Sequence, residues 1–419
     1  MSEPAKDQEL PVAVIGAGVI GLSIAFRLAR EFPRVVLIDR AEPGMACSYG
    51  NAGHIATEQI FPLASPSTFL GAPRMLFSRN GPLSIRPAYA AGILPWLLRF
   101  AWACRPGAFE SGTQALASLQ ERALESFATL LLDAGIAEQL HRRGHLILVE
   151  NPRLARAAQK QMAQLNANGI DARWIEAAEV ASRAPGLKEN IGAIHVLGSA
   201  HVADPLSVSR GLLEAFIRAG GDHLHDEVLG IEIDADGIAR LTLSNRTLRA
   251  GRLIIAAGAW SRTLAAQTGF SVPLDTERGY HVQLRGWRSE LDIAVASMDR
   301  MTIMTPLESG LRMTGFVELG GMELAPDPAR AAILERHISE LLPQAPTASR
   351  ESWMGFRPSL PDHLPVIGRH PKNPRIVYAF GHQHLGLTLA GITADAVHAL
   401  AAGREAPVDL NPFRIQRFS

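Results

Sequence analysis

Four consecutive apolar positions, Val12–Ile15, run directly into Gly16-Ala17-Gly18-Val19-Ile20-Gly21, and apolar residues then recur at threes and fours as far as Leu28. A short unbroken apolar run fits a strand buried on both faces, and the 3.6-residue period after it fits a helix. The pattern therefore predicts strand, tight turn and helix. After Pro33, positions 35–38 repeat the buried-strand pattern and end at Asp39, which closes a βαβ unit and starts a parallel sheet.

Residues 61–105 are irregular and rich in proline and aromatics, so they read as an insertion, and 111–140 read as a helix. A strand at 146–149, a polar helix over 153–167 and a loop-rich stretch to Ser199 follow. Pro205 opens a helix over 206–218, with Gly220-Gly221 as its stop. Strands are predicted at 228–233, 239–243 and 252–256, the first two joined by an Asp236-Gly237 turn. Positions 283, 301–304 and 312–314 suggest a second, mixed sheet, and a helix over 327–342 separates it from the final block. That block repeats the opening order: strand 375–380, loop 381–386, helix 387–402. There is no tandem repeat and no low-complexity tract.

Composition narrows the function classes. The 419 residues suggest two to three domains, and 41 Lys+Arg against 41 Asp+Glu leave no net field to gather a nucleic acid. No apolar stretch has the roughly 18 residues a spanning helix needs. Two cysteines, Cys47 and Cys104, fit a reducing compartment, and the polar lead 1–10 lacks a signal-like apolar run. The expected location is the cytoplasm.

The glycine pattern carries chemistry because of what flanks it. Gly16 makes the turn, Gly18 lets the backbone approach a pyrophosphate, Gly21 packs helix on strand, and the helix N-terminus supplies the anion site. Asp39, at the end of the next strand, is spaced to accept hydrogen bonds from a ribose.

Further along, Ser48-Tyr-Gly-Asn51-Ala52-Gly53-His54, Ala256-Ala-Gly258-Ala-Trp260, Gly355-Phe-Arg357-Pro358, Leu364-Pro-Val-Ile-Gly368 and Gly381-His382-Gln-His384-Leu385-Gly386-Leu-Thr388 form an ordered set. Together they resemble the FAD-dependent D-amino acid oxidase superfamily, with the closest likeness to bacterial D-amino acid dehydrogenases, including those that oxidise cis-4-hydroxy-D-proline. The resemblance implies an α/β fold: a discontinuous Rossmann-like FAD-binding domain from 8–62, 201–272 and 351–416, and an α+β substrate domain with a mixed sheet from 63–200 and 273–350. It implies non-covalent FAD held by Gly16, Gly18, Gly21, Asp39, Arg40, Ser48, Asn51, Ala52, Gly53, Val228, Gly258, Gly355, Gly381, His382, Leu385, Gly386 and Thr388. A helix N-terminus near Leu387 would face the negative charge that reduction puts on the pyrimidine end of the flavin.

The same resemblance makes Arg357 the fork for a substrate α-carboxylate, a task a planar guanidinium performs and lysine does not. Tyr280 would complete the carboxylate contacts. His54, where many such dehydrogenases have an amide, and Gln383-His384, where they have smaller residues, depart from the family; with His382 they flank motif glycines and are expected to face flavin or substrate, their compact imidazoles suiting a ring that bears a hydroxyl. The implied reaction moves the α-hydrogen of a D-amino or D-imino acid, D-proline or cis-4-hydroxy-D-proline favoured, as hydride to flavin N5. Two rivals stay open: an electron-relay subunit of a heteromeric amine oxidase, and a glycine or sarcosine-type oxidase using oxygen.

No metal is expected, since His141 and His145 are interrupted by Gly144, and His223-x-His225 lacks cysteine partners. Trp96, Phe100 and Trp102, at helical spacing in an apolar stretch broken by Pro95 and Arg99, suggest peripheral membrane contact and a quinone acceptor, with a domain-packing helix as the alternative.

Overall fold

The structure, a computed structural model, describes residues 10–77, 81–348 and 350–418; the polar lead 1–9 lies outside them. Its first sheet has six strands in the order Asp222–His225, Val35–Asp39, Val12–Ile15, Arg252–Ile255, Ile376–Phe380, Val366–Arg369. The first five are parallel and the last is antiparallel. From Val12–Ile15 the chain pairs outward on one side and returns on the other, so the order reverses there. Such a switch point opens a crevice at the carboxyl ends of the strands.

Side-chain alternation explains the layers. Val12 and Val14 face a core shared with helices Val19–Ala29, Pro106–Ala134, Pro205–Arg218 and Ala390–Ala401. Ala13 and Ile15 face a second core closed by the three-stranded meander Val228–Ile233, Ala239–Leu243, Thr247–Ala250 and by helix Ser261–Gln267.

The second sheet runs Arg350–Ser359, Asp275–Arg285, Gly310–Leu319, Thr302–Leu307, Ala294–Ser297, His145–Val149, Gly192–Val196, Ala172–Ile175, with Leu83–Ile85 added beside Gly310–Leu319. It is mixed, because Ala294–Ser297 runs parallel to His145–Val149 and Leu83–Ile85 parallel to Gly310–Leu319. Strand Arg350–Ser359, counted with the cofactor segments on sequence, belongs to this sheet by pairing along its length with Asp275–Arg285. A small third sheet joins His54–Ile55, Ala200–Val202 and Leu140–His141.

Several expectations are corrected. The stretch read as irregular holds helix Pro66–Phe77 as well as Ala90–Ala103, within which the helical spacing of Trp96, Phe100 and Trp102 falls; each has a proline inside, Pro73 and Pro95. The helix expected over 111–140 starts at Pro106 and stops at Gly135, whose φ of 77° is left-handed. Leu140–His141 is a strand instead. The loop-rich stretch contains Ala172–Ile175, Ala177–Arg183 and Gly192–Val196. The last helix begins at Ala390, three residues after the expected 387, because 387–389 form a tight turn in which the Leu389 amide donates to the Leu385 carbonyl.

Candidate active site

A cavity of about 440 Å³ opens at the carboxyl ends of the parallel strands, and its wall includes Gly16, Gly18, Asp39, Ser48, Gly258 and Gly381. Each follows or ends a strand of the first sheet, or lies in the segment after one. Gly16 and Gly21 are required by contact. A Cβ on Gly21 would stand 1.7 Å from the Gly16 carbonyl oxygen, and one on Gly16, at φ 105°, 2.5 Å from that of Ala256. Helix Val19–Ala29 has Gly18 as N-cap, and the Val19 amide donates to Ser48 Oγ at 2.9 Å. The other first-turn amides have no partner within the helix, which is what an anion at this end requires.

Asp39 accepts from the Ala17 amide at 2.7 Å through one oxygen and from the Ala41 amide at 2.9 Å through the other. An ionised carboxylate keeps a further acceptor site on each oxygen for ribose hydroxyls. Arg40 pairs with Glu227 at 2.7 Å and lies over the Trp260 ring at 5.0 Å, and all three line the cavity near Val228. A cavity with an anion end and a carboxylate end fits an adenine dinucleotide.

Residues 11–400 match the family described as FAD dependent oxidoreductase. The chain belongs to that family. It is 32% identical to the D-amino-acid oxidase of Bradyrhizobium diazoefficiens, over 97% of this chain and 98% of the relative. It is 27% identical to a D-amino acid dehydrogenase of Cereibacter sphaeroides, over 97% and 95%. Glycine oxidase from Geobacillus kaustophilus shares the fold with a TM-score of 0.74 at 23% identity, covering 97% of this chain and 99% of that one. L-proline dehydrogenase from P. horikoshii does so with 0.74 at 16%, covering 98% and 97%.

In this FAD-dependent oxidoreductase, Arg40, Asn51, Val228, His382 and Gly386 also line the cavity. Gly21, Ala52, Gly53, Gly355, Leu385 and Thr388 do not, and their contacts explain why they are near it. Gly53 (φ 77°) donates to Asn51 Oδ1 at 2.7 Å, which holds Asn51 on the wall. Thr388 Oγ1 accepts from the Ala56 amide at 2.9 Å and ties the 381–388 segment to the 51–56 segment. Leu385 is core. Gly355 leaves room for the Trp353 indole, which a Cβ would meet at 2.0 Å.

Arg357 lies on Gly279, where a Cβ would be 2.3 Å from its Cζ, and donates to the Phe316 carbonyl at 2.9 Å. Arg357 is not itself on the cavity wall, but its strand neighbours Phe356 and Pro358 are, as is Cys47, whose thiol burial pushes up against the pull of the Arg357 guanidinium. Among the described residues no carboxylate lies within ion-pair distance of Arg357. His384 is not on the cavity wall but feels the Arg357 charge: burial, then that charge, push its imidazole down to about 4, so it is neutral near pH 7.

Tyr280 is not brought to Arg357. Its hydroxyl donates to Glu318 at 3.0 Å and accepts from the Asp327 amide at 2.9 Å, on the face of the strand opposite Gly279. His54 is not on the cavity wall either; its Nε2 is 3.1 Å from Glu58 Oε1 and its ring 4.5 Å from that of His145. Helix Ala90–Ala103 packs over the site: Trp96 is buried, stacks on Phe100 and donates to the Ser359 carbonyl at 3.3 Å.

Sequence reasoning missed a buried chain behind Arg357. Glu277 Oε1 is 3.3 Å from His363 Nε2, and His363 Nδ1 is 2.9 Å from Gln383 Oε1. Burial raises the Glu277 carboxyl, but His363, Arg357 and His384 outweigh it and hold it below its ordinary value. His363 (φ 56°) and Gln383 (φ 51°) are both left-handed without being glycine. Strain of that kind persists where packing over-determines it, and the sequence pattern carries no trace of it.

Proposed function

We propose that this chain oxidises a D-amino or D-imino acid at the α-carbon, proline-type compounds such as D-proline and cis-4-hydroxy-D-proline favoured. The observation that carries the reading is Arg357, a guanidinium between two residues of the cavity wall, Phe356 and Pro358, with no carboxylate within ion-pair distance among the described residues. The names of the oxidase and dehydrogenase relatives support the substrate class. FAD, when bound, supplies a hydride acceptor at N5 for the α-hydrogen. Arg357 forks the carboxylate and fixes which face of the α-carbon is presented. At about 4, His384 is a hydrogen-bond partner for the amine or a ring hydroxyl and too weak a base to deprotonate an ammonium, so the amine reacts as the free base. A relay subunit without an amine site has no use for a guanidinium without a carboxylate at ion-pair distance there.

In the same reading, segments 8–62, 201–272 and 351–416 bind the cofactor, 63–200 and 273–350 shape the substrate side, and electrons leave to a quinone at the cytoplasmic face of a membrane. No helix of the described residues is long and apolar enough to cross one. A peripheral contact is supported by Leu94, Leu98 and Trp102, which are 54%, 65% and 66% exposed at four-residue spacing on one helix.

Anaerobic mixing with a panel of D- and L-amino acids, including proline and cis-4-hydroxy-D-proline, tests the reading through loss of flavin absorbance. Bleaching by D-proline-type compounds is expected. A protein that no amine bleaches moves the assignment to the relay subunit, and rapid turnover with oxygen alone moves it to the glycine or sarcosine type. Arg357→Ala, with its flavin retained, should raise KM for the best substrate about a hundredfold or more, the loss of two charge-assisted hydrogen bonds.

A further inference from the structure

His54, Glu58 and His145 place two ring nitrogens and a carboxylate oxygen within 4.8 Å of one another, in a pocket where the three side chains are almost wholly buried. His54 Nε2 is 3.1 Å and His145 Nε2 is 3.8 Å from Glu58 Oε1. The outer nitrogens decide what faces inward. His54 Nδ1 is 3.2 Å from the Ala200 carbonyl, which only accepts, so that nitrogen carries the proton. His145 Nδ1 is 2.9 Å from Ser199 Oγ, whose own hydrogen has the Val196 carbonyl as acceptor at 3.5 Å, so it too donates.

In the neutral rings both Nε2 atoms therefore turn lone pairs toward a carboxylate. Three electron-rich donors converge with no proton between them, and Glu58 Oε2 is buried with no hydrogen-bond partner among the described residues. That arrangement is costly unless a cation sits in it. Histidines oriented from behind by a carbonyl and a hydroxyl are how proteins present imidazole to a metal. A tetrahedral ion with ligands at about 2.0–2.1 Å sets donors about 3.3 Å apart, between the two separations found here.

We propose that His54, Glu58 and His145 bind one divalent transition-metal ion of the zinc class, with a fourth position open to water. The ion would join the turn after strand His54–Ile55 to strand His145–Val149 of the second sheet. Because Ala56 between two of the ligands donates to Thr388 of the 381–388 segment, the clamp also steadies that segment. The inference does not rest on the substrate assigned above.

The test uses the full chain with FAD bound, prepared without a histidine tag. Elemental analysis by mass spectrometry should find about one zinc or iron per chain, lost on prolonged chelation and restored by Zn²⁺ alone, with a matching fall and recovery of Tm. Glu58→Gln and His145→Asn should each lower Zn²⁺ uptake at least tenfold by titration calorimetry; if either fails to fold, the chelated native chain still gives the answer. Chelated protein that takes up no Zn²⁺ in large excess, with Tm unmoved, overturns the proposal and leaves an imidazolium–carboxylate cluster. Neither result depends on turnover with any amine.

Discussion

Arg357 lies against Gly279, while Tyr280, one residue on, turns to the other face of the same strand and hydrogen-bonds Glu318. Glu318 also pairs with the fully buried Arg278 at 3.2 Å, so the tyrosine hydroxyl completes a buried polar network. Burial, chiefly, pushes that phenol up to about 12, so it stays protonated and donates. Tyr280→Phe removes the hydroxyl and leaves the Asp327 amide without its acceptor, at a cost of about 1–3 kcal/mol. The expected outcome is a lower Tm by calorimetry with KM unchanged. A KM raised tenfold or more at unchanged Tm would instead return Tyr280 to the substrate carboxylate.

At the scale of elements, helix Ala90–Ala103 does two jobs on two faces. Trp96 and Phe100 turn inward and meet His363 edge-on at 6.3 and 5.6 Å, while Leu94, Leu98 and Trp102 turn outward. Sequence spacing grouped Trp96 with Trp102 because both are apolar, and packing separates them. A membrane test must therefore spare Trp96. Leu98→Asp with Trp102→Ala should abolish co-sedimentation with anionic liposomes while leaving Tm and flavin content unchanged; equal binding by variant and parent would remove the membrane contact. The proline within Pro66–Phe77 also hid that element from pattern reading, since local propensity sees a break where tertiary contacts hold a helix.

Over the described residues, the histidines held below their ordinary value chiefly by burial include His201, His281 and His382 at about 3 and His337 and His384 at about 4. Each is neutral in the fold and gains a proton near pH 6.5 when unfolded. Between about pH 6.5 and 4 the unfolded chain binds more protons, so stability is full above the unfolded value and falls as pH drops toward the folded one. Scanning fluorimetry should show Tm at pH 5 lower than at pH 7 by about 5 °C or more, with replacement of His337 by Gln flattening the slope. A Tm that rises on acidification would contradict the placement of these rings.

Local order in the sequence determined the dinucleotide end. Gly16, Gly18, Gly21 and Asp39 lie within one βαβ unit, where the turn, the anion site and the carboxylate are set by spacing along a short chain, and their positions follow from it. The ordered motifs likewise carried the family and FAD. Pairing across long separations was decided only in three dimensions. The strand register put Arg357 opposite Glu277 and over Gly279, left Tyr280 on the far face, and moved His54 off the cavity wall to Glu58 and His145. The Glu277–His363–Gln383 chain joins residues up to 106 positions apart, between 277 and 383, through two left-handed non-glycine backbones. No periodicity encodes such a contact, because the face a side chain takes on a sheet depends on which strands pair, and the sheet assembles from segments scattered along the whole chain.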